Sequence, residues 1–331
     1  MSDPFAPFKV DAAIHSGAKP DPTIKARAPT VEVLEKRAAV FQTVLGLAHR
    51  GDNLVPSTNV YGGTYSLFIS VLPRIGITLR RLIDDRTKLI FVETVGTPLV
   101  SIPYITAIAN IAHKHGLPLV VNNTFGVCGF WCPVIEHAVD IVIHPATKWL
   151  SGHGTTVGGV IVDSGRFDCT ASGRFPHLTK NSDGLMEFPY ASAFGNCTFA
   201  LALRIEVVME VGGVMNPFAA HQILLGIETL SMRCERIASN ALQIARFLSG
   251  PPLVSWVSYP DCKTMAHPWS STHSIMSEQY RLDAGVTEDL IRLSVGTEDI
   301  EDIIDDLSAA YNAISPDTLS TMDGTVNGVG R

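Results

Sequence analysis

Runs of like charge, paired Cys-x-x-Cys motifs and long apolar segments are what this sequence lacks. The net charge is -7 at pH 7, and no basic cluster supplies the footprint that nucleic acid needs. Cysteine is sparse: six in 331 residues (Cys128, Cys132, Cys169, Cys197, Cys234, Cys262). They are too scattered for a disulfide framework and lack the paired spacing of a zinc site. Cys128 and Cys132 could be drawn with His137 and His144 as metal ligands, but the two thiols flank an apolar Gly-Phe-Trp stretch and read as buried core cysteines, so no metal is expected. This usage fits a reducing cytoplasm. The first nine residues hold no apolar core of a secretory signal, and no uncharged apolar stretch of membrane-spanning length is read elsewhere. Nucleic acid and membrane are therefore not expected partners. What is present is a globular composition, 46% hydrophobic and 17% charged, long enough for one large domain with an appendage or for two domains with sizeable cores and suited to small-molecule partners.

Residues 1–30 contain five prolines and few periodic apolar positions, which predicts an extended arm lying on this or another subunit, or else a disordered lead. Helical spacing follows from Val31 to His49, closed by Arg50-Gly51-Asp52-Asn53. Leu54-Val55-Pro56 reads as a short strand. Val60-Tyr61-Gly62-Gly63-Thr64-Tyr65 then opens a helix running towards Leu72. Two glycines beside Tyr61 point to close backbone approach there, or Tyr61 simply packs at a helix start.

Three apolar runs, Lys88–Glu93, Pro118–Asn122 and Asp140–His144, read as strands, the first two separated by a helix that His113-Lys114-His115-Gly116 closes. This alternation predicts an α/β fold, a mostly parallel sheet covered by helices, with right-handed crossovers. In such sheets ligands sit beyond the carboxyl ends of the strands. Those ends carry Glu93-Thr94, Asn122-Asn123-Thr124 and Thr147-Lys148. A further strand is read in 155–163, and an irregular loop in 164–196. A helix follows at Ala200 to Gly212, then a long amphipathic stretch from Pro217. A smaller C-terminal part holds period-two segments at Val254–Tyr259 and Leu290–Gly296 and a final helix capped by Thr297-Glu298-Asp299 and running through Ile314.

Two cations stand out. Lys148 lies between an apolar strand and Trp149-Leu150. A partly desolvated ammonium loses proton affinity and becomes an amine able to attack a carbonyl; the alternative is a solvated loop cation. Arg292 interrupts the apolar run Leu290–Gly296. It reads either as a bidentate clamp on a carboxylate or as the outward residue of a half-exposed strand. An imine-forming lysine with a carboxylate clamp describes an enzyme acting on amino acids.

With those residues in place, longer words can be matched: Val60–Tyr65, Ile111–Gly116 leading to Asn123–Gly126, Ala146–Trp149 with His153–Gly165, Met215–Ala219, Gly226–Ser231, Val254–Pro260 and Asp289–Gly296. In this order, over most of residues 40–300, they resemble the pyridoxal-phosphate enzymes of cysteine and methionine metabolism, and within them the O-acetylhomoserine sulfhydrylases. The resemblance implies a fold-type I transferase: a pyridoxal-phosphate-binding domain over 31–215 and a linking helix and truncated C-terminal α+β domain over 216–314; the last seventeen residues, 315–331, read from the sequence as disordered. It implies that Lys148 carries the cofactor as an imine and moves protons, that Tyr61 stacks on the ring and assists, and that Asn122 and Thr147 bind cofactor. Arg292 would hold the substrate carboxylate. It further implies a homotetramer of site-sharing dimers and γ-substitution on an O-acyl-homoserine-type amino acid by sulfide or another nucleophile.

Several positions depart from that family pattern. Asn122 stands where the family has an aspartate against the ring nitrogen, Pro145 where a serine helps bind phosphate, and Gly96-Thr97-Pro98 replaces Gly-Asn-Pro. A Tyr-x-Arg clamp expected near Arg27–Thr30, a Ser-Ser-Gly loop expected near Ala38–Gln42 and a block between Pro260 and His267 are missing. The other expectation is therefore a catalytically impaired remnant, or a scaffold partner of an intact homologue.

Overall fold

The computed structural model describes residues 38–97, 100–181, 189–251, 254–259 and 290–313. The expected arm (1–30), the tail (315–331), the Tyr-x-Arg position near Arg27 and the block between Pro260 and His267 lie outside the described residues. The described residues form two compact units, one within 38–232 and 290–293, the other within 233–259 and 294–313.

The first unit is built on a six-stranded sheet in the order β2-β1-β3-β4-β5-β6, with β1 at Asn53–Pro56, β2 at Thr78–Leu79, β3 at Thr87–Glu93, β4 at Leu119–Asn122, β5 at Ile141–His144 and β6 at Val160–Asp163. All neighbours pair in parallel except β5 with β6, which run antiparallel. Apolar residues occupy successive positions of β3 to β5 because both faces are covered, as parallel sheets require. Leu89, Phe91, Val120, Ile141 and Ile143 enter a core with Val44 and Leu47 of the helix Ala38–Leu47, Phe68, Phe175 and Phe199. Ile90, Val92, Leu119, Val121 and Val142 alternate with them into a second core, against Ile105, Ala109 and Ala112 of the helix Ile105–Lys114. That helix ends as expected: Gly116 takes φ 66°, which favours glycine, and Leu117 N–H returns to the Ala112 carbonyl at 2.9 Å.

Several expectations are corrected. β6 covers only Val160–Asp163 of the strand read in 155–163 and reverses direction. The amphipathic stretch from Pro217 is two helices, Pro217–Glu228 and Leu230–Leu248, broken at Thr229. Residues 164–196 contain short helical turns at Cys169–Ser172, Pro176–Thr179 and Tyr190–Phe194. Val254–Tyr259 (Pro260 being outside) and Leu290–Gly296 are irregular, not strands; a period-two sequence becomes a strand only when a neighbour takes its backbone hydrogen bonds. Cys128 is exposed, not a core thiol, and among the described residues no group of three His, Cys, Asp or Glu is arranged to hold a metal.

One helical run, Tyr190–Val211, does meet the length and hydropathy of a membrane span. It carries Arg204 and Glu206, and its Tyr190, Phe199, Ala202, Leu203 and Val207 pack into the sheet core.

In the second unit, the Leu230–Leu248 helix from Arg233 onward meets the final helix, Ile300–Ala313. Asn240 Nδ2 donates to the Gly296 and Glu298 carbonyls at 3.1 and 2.8 Å, and the Phe247 and Tyr311 rings meet edge to face at 6.5 Å. Asp299 Oδ1 accepts the Glu301 N–H at 3.0 Å, the cap expected there.

Candidate active site

The carboxyl ends of β3, β4 and β5 lie side by side, as the polar strand ends anticipated. Glu93 pairs in register with Asn122, and Asn122 with Ile143. Asn122 Nδ2 donates to Glu93 Oε1 at 3.1 Å, and Thr124 Oγ1 donates to Asn122 Oδ1 at 2.6 Å. Glu93 also accepts the Tyr61 backbone N–H and a bond from the Thr64 side chain. Glu93 and Asn122 are each 5% exposed, and burial pushes the Glu93 carboxyl up to about 7, against the pull of those three bonds.

Tyr61 sits just before the helix Gly62–Ser66, half-buried above this carboxyl. The helix continues as a π turn, Leu67–Val71, and a 3-10 turn, Leu72–Ile75. Arg292 is half-buried, with its guanidinium carbon 5.9 Å from the centre of the Phe125 ring. Burial draws its pKa down while neighbouring Tyr61 pulls the other way. Tyr61, Glu93, Asn122, Thr124, Phe125 and Arg292 thus make one continuous set of contacts.

The next residues brace this set from behind. Thr94 Oγ1 donates to Asn123 Oδ1 at 2.5 Å and Asn123 Nδ2 to the Cys132 carbonyl at 3.0 Å. Any side chain at Gly126 would overlap the Asn123 carboxamide. Thr97 Oγ1, in the turn that follows β3, is buried without a hydrogen-bond partner among the described residues.

Lys148 follows β5 in a compact turn: its N–H returns to the Pro145 carbonyl at 3.1 Å, and its carbonyl accepts the Gly152 N–H at 3.0 Å. Ala146 and Leu150 pack against Ile223 beneath it, and Gly226 of the same helix, Pro217–Glu228, touches the Leu150 and Ser151 carbonyls. Lys148 itself is exposed, so the desolvation expected of it is not supplied by the described residues. Thr147 Oγ1 is turned inward, donating to the Gly158 carbonyl at 3.3 Å and accepting its N–H at 3.1 Å.

A family model described as "Cys/Met metabolism PLP-dependent enzyme" matches residues 35–266 and 261–312. The chain belongs to this family of pyridoxal-phosphate enzymes. The sulfhydrylase FUB7 of Fusarium oxysporum f. sp. lycopersici is 39% identical over 364 residues, covering 86% of this chain and 84% of that one. The homocysteine/cysteine synthase of Saccharomyces cerevisiae is 35% identical over 377 residues, covering 86% and 85%. In the first, 86% of 331 residues is spread over 364 aligned positions, so several dozen positions of the relative face no residue here. Among solved structures, a Campylobacter jejuni chain assigned as an O-acetylhomoserine (thiol)-lyase and carrying a pyridoxyl-lysine phosphate aligns with TM-score 0.78 at 26% identity, over 85% of this chain and 82% of that one. The O-acetylhomoserine sulfhydrylase of Wolinella succinogenes aligns with TM-score 0.67 at 27% identity, over 83% and 89%. This chain is accordingly an α/β fold-type I enzyme of a pyridoxal-phosphate-dependent family.

The residues present suit the ring of that cofactor better than its phosphate. An aromatic face at Tyr61 and a carboxamide at Asn122 are groups of the kind a substituted pyridine takes. On the phosphate side, Pro145 has no N–H to offer, and the Thr147 hydroxyl is engaged by Gly158. The sequence placed Glu93 at the site only as a polar strand end, without a role, and did not assign Phe125 to it. For Glu93 the signal was an ionisable residue ending an otherwise apolar strand.

Proposed function

We propose that this chain catalyses pyridoxal-phosphate-dependent γ-substitution on an O-acyl-homoserine-type amino acid, with sulfide or another small nucleophile as acceptor. The supporting observation is the contact set running from Arg292 and Phe125 through Tyr61 to Asn122 and Glu93, beside the Lys148 turn. When bound, pyridoxal phosphate supplies an electron sink for negative charge developing at carbon. Lys148 would anchor it through Nζ and then, as a free amine, take and return the protons of the α and β carbons. Tyr61 would hold the ring by its aromatic face, with its hydroxyl available for proton transfer. Arg292 takes the substrate carboxylate in its planar fork, which Phe125 orients from one face. Asn122 would face the ring nitrogen, and Thr147 would serve the phosphate if its hydroxyl left Gly158. The working form is a cytoplasmic homo-oligomer.

The test is uptake of the cofactor. Wild-type protein titrated with pyridoxal phosphate gains a visible absorption band; borohydride removes it and leaves a pyridoxyl mass on the peptide containing Lys148. Lys148→Ala shows neither. O-acetylhomoserine and sulfide then yield a thiol product only with wild type. A second reading is favoured by the gapped alignment and by Pro145 and Thr147: an impaired copy that scaffolds an intact homologue. No band at saturating cofactor sinks the catalytic reading and leaves that one.

A further inference from the structure

We propose that Glu93 is a positioning residue that acts through the Asn122 carboxamide to hold a proton on the ring nitrogen of bound pyridoxal phosphate. The inference rests on the functional reading above, in which Asn122 faces that nitrogen.

Two constraints on Asn122 carry the argument. Its Nδ2 donates to Glu93 Oε1 at 3.1 Å, and its Oδ1 accepts from Thr124 Oγ1 at 2.6 Å. An ionised carboxyl can only accept, so ionised Glu93 fixes the carboxamide with its nitrogen turned back and its oxygen forward. A carbonyl oxygen has two acceptor sites. Thr124 fills one, and the other is left to accept from a protonated ring nitrogen. The negative charge behind the amide polarises it, as hydrogen bonds in a chain polarise one another in a low dielectric. Carboxyl, carboxamide and ring nitrogen would then form a relay in which a neutral asparagine transmits a charge that it does not carry.

The surroundings of Glu93 favour this use. It is 5% exposed at the end of a strand whose other side chains are mostly apolar, and its remaining partners, the Tyr61 backbone N–H and Thr64, are neutral. A cation at the ring nitrogen would be a charge partner for a carboxyl whose hydrogen-bond partners are all neutral. The proton balance closes: the carboxyl gives up one proton as the ring nitrogen gains one. The burial that raises the carboxyl to about 7 in the cofactor-free chain makes that exchange accessible near neutral pH.

A comparison of two cofactors reads the ring nitrogen directly, without activity. The full chain is titrated with pyridoxal phosphate and with 1-deazapyridoxal phosphate, which has carbon in place of that nitrogen. In wild type, pyridoxal phosphate is expected to bind more tightly. Glu93→Gln keeps the shape and removes the charge; it should weaken pyridoxal phosphate about tenfold and leave the deaza compound within about twofold. Adding Asn122→Asp to Glu93→Gln puts a carboxylate in direct reach and should restore the preference. Equal weakening of both compounds, or no restoration by Asn122→Asp, overturns the relay and leaves Glu93 a packing residue, while loading of Lys148 keeps the functional reading intact. If wild type takes up neither compound, that reading fails and the relay with it.

Discussion

Glu93 is the residue whose chemistry the fold alters most. Its carboxyl is held at about 7 rather than 4.5, chiefly by burial. The folded state therefore binds a proton that the unfolded chain has already lost, and stability falls as pH rises from about 4.5 to 7. Above that window the penalty is constant, on the order of 3 kcal/mol. In the cofactor-free protein Glu93→Gln is expected to melt higher than wild type at pH 8, with the difference closing below about pH 5. A difference that is flat across this range would show that the carboxyl is not buried as described. Arg292 belongs to the same scale but answers to substrate. Arg292→Gln keeps a polar side chain and loses the bidentate cation, so KM for the amino acid should rise at least tenfold, while the Lys148 adduct forms as in wild type. Loss of cofactor loading in that variant would remove Arg292 from its assigned task.

At the scale of elements, the turn that carries Lys148 is held from below, and that support can be broken without touching a site side chain. Gly226, in the helix Pro217–Glu228, lies against the Leu150 and Ser151 carbonyls. A methyl group there meets backbone, which cannot swing aside as a side chain can. Gly226→Ala should cost about 1–3 kcal/mol by overpacking and displace the turn, so cofactor occupancy of Lys148 falls together with urea stability. Full occupancy with unchanged stability would mean that the helix and turn are not in contact.

The same elements show how far the chain could be read beforehand. β3, β4 and β5 were legible because each is an apolar run buried on both faces and closed by a polar residue, and their parallel order placed Glu93, Asn122 and the Lys148 turn at one edge. The reversal of β6 was not, since its direction depends on how the chain returns after the lysine turn, which no periodicity records. Leu290–Gly296 looked like a strand because alternation reports a half-buried segment, whereas a strand also needs a partner. Exposure of Lys148 and the inward Thr147 hydroxyl follow from contacts eleven residues and more apart in sequence, which spacing cannot supply. Asn122 was legible as a residue, but its orientation is set by Glu93, and that becomes visible only when the two strands stand in register.

For the whole molecule, the informative surface runs from Met209 to Met232. Met209, Val211, Val214, Phe218, Leu224 and Met232 are all more than 60% exposed, though all six residues fall in the sheet unit. Scattered apolar side chains on a surface are ordinary, but contiguous ones mark an interface or an aggregation site. Phe218, at 83% exposed, has the most area to lose on association, and full burial of such a ring is worth about 1.5–3 kcal/mol. The purified chain is therefore expected to sediment as a dimer or larger species, or to need a partner chain for solubility. Phe218→Glu with Leu224→Glu should shift it towards monomer by placing two charges where desolvation is required. Both positions are exposed, so the variant should keep the far-ultraviolet spectrum of wild type. A wild-type protein that stays monomeric at tens of micromolar and melts cooperatively at high temperature would show that this face needs no cover, and the homo-oligomer proposed here would have to be abandoned.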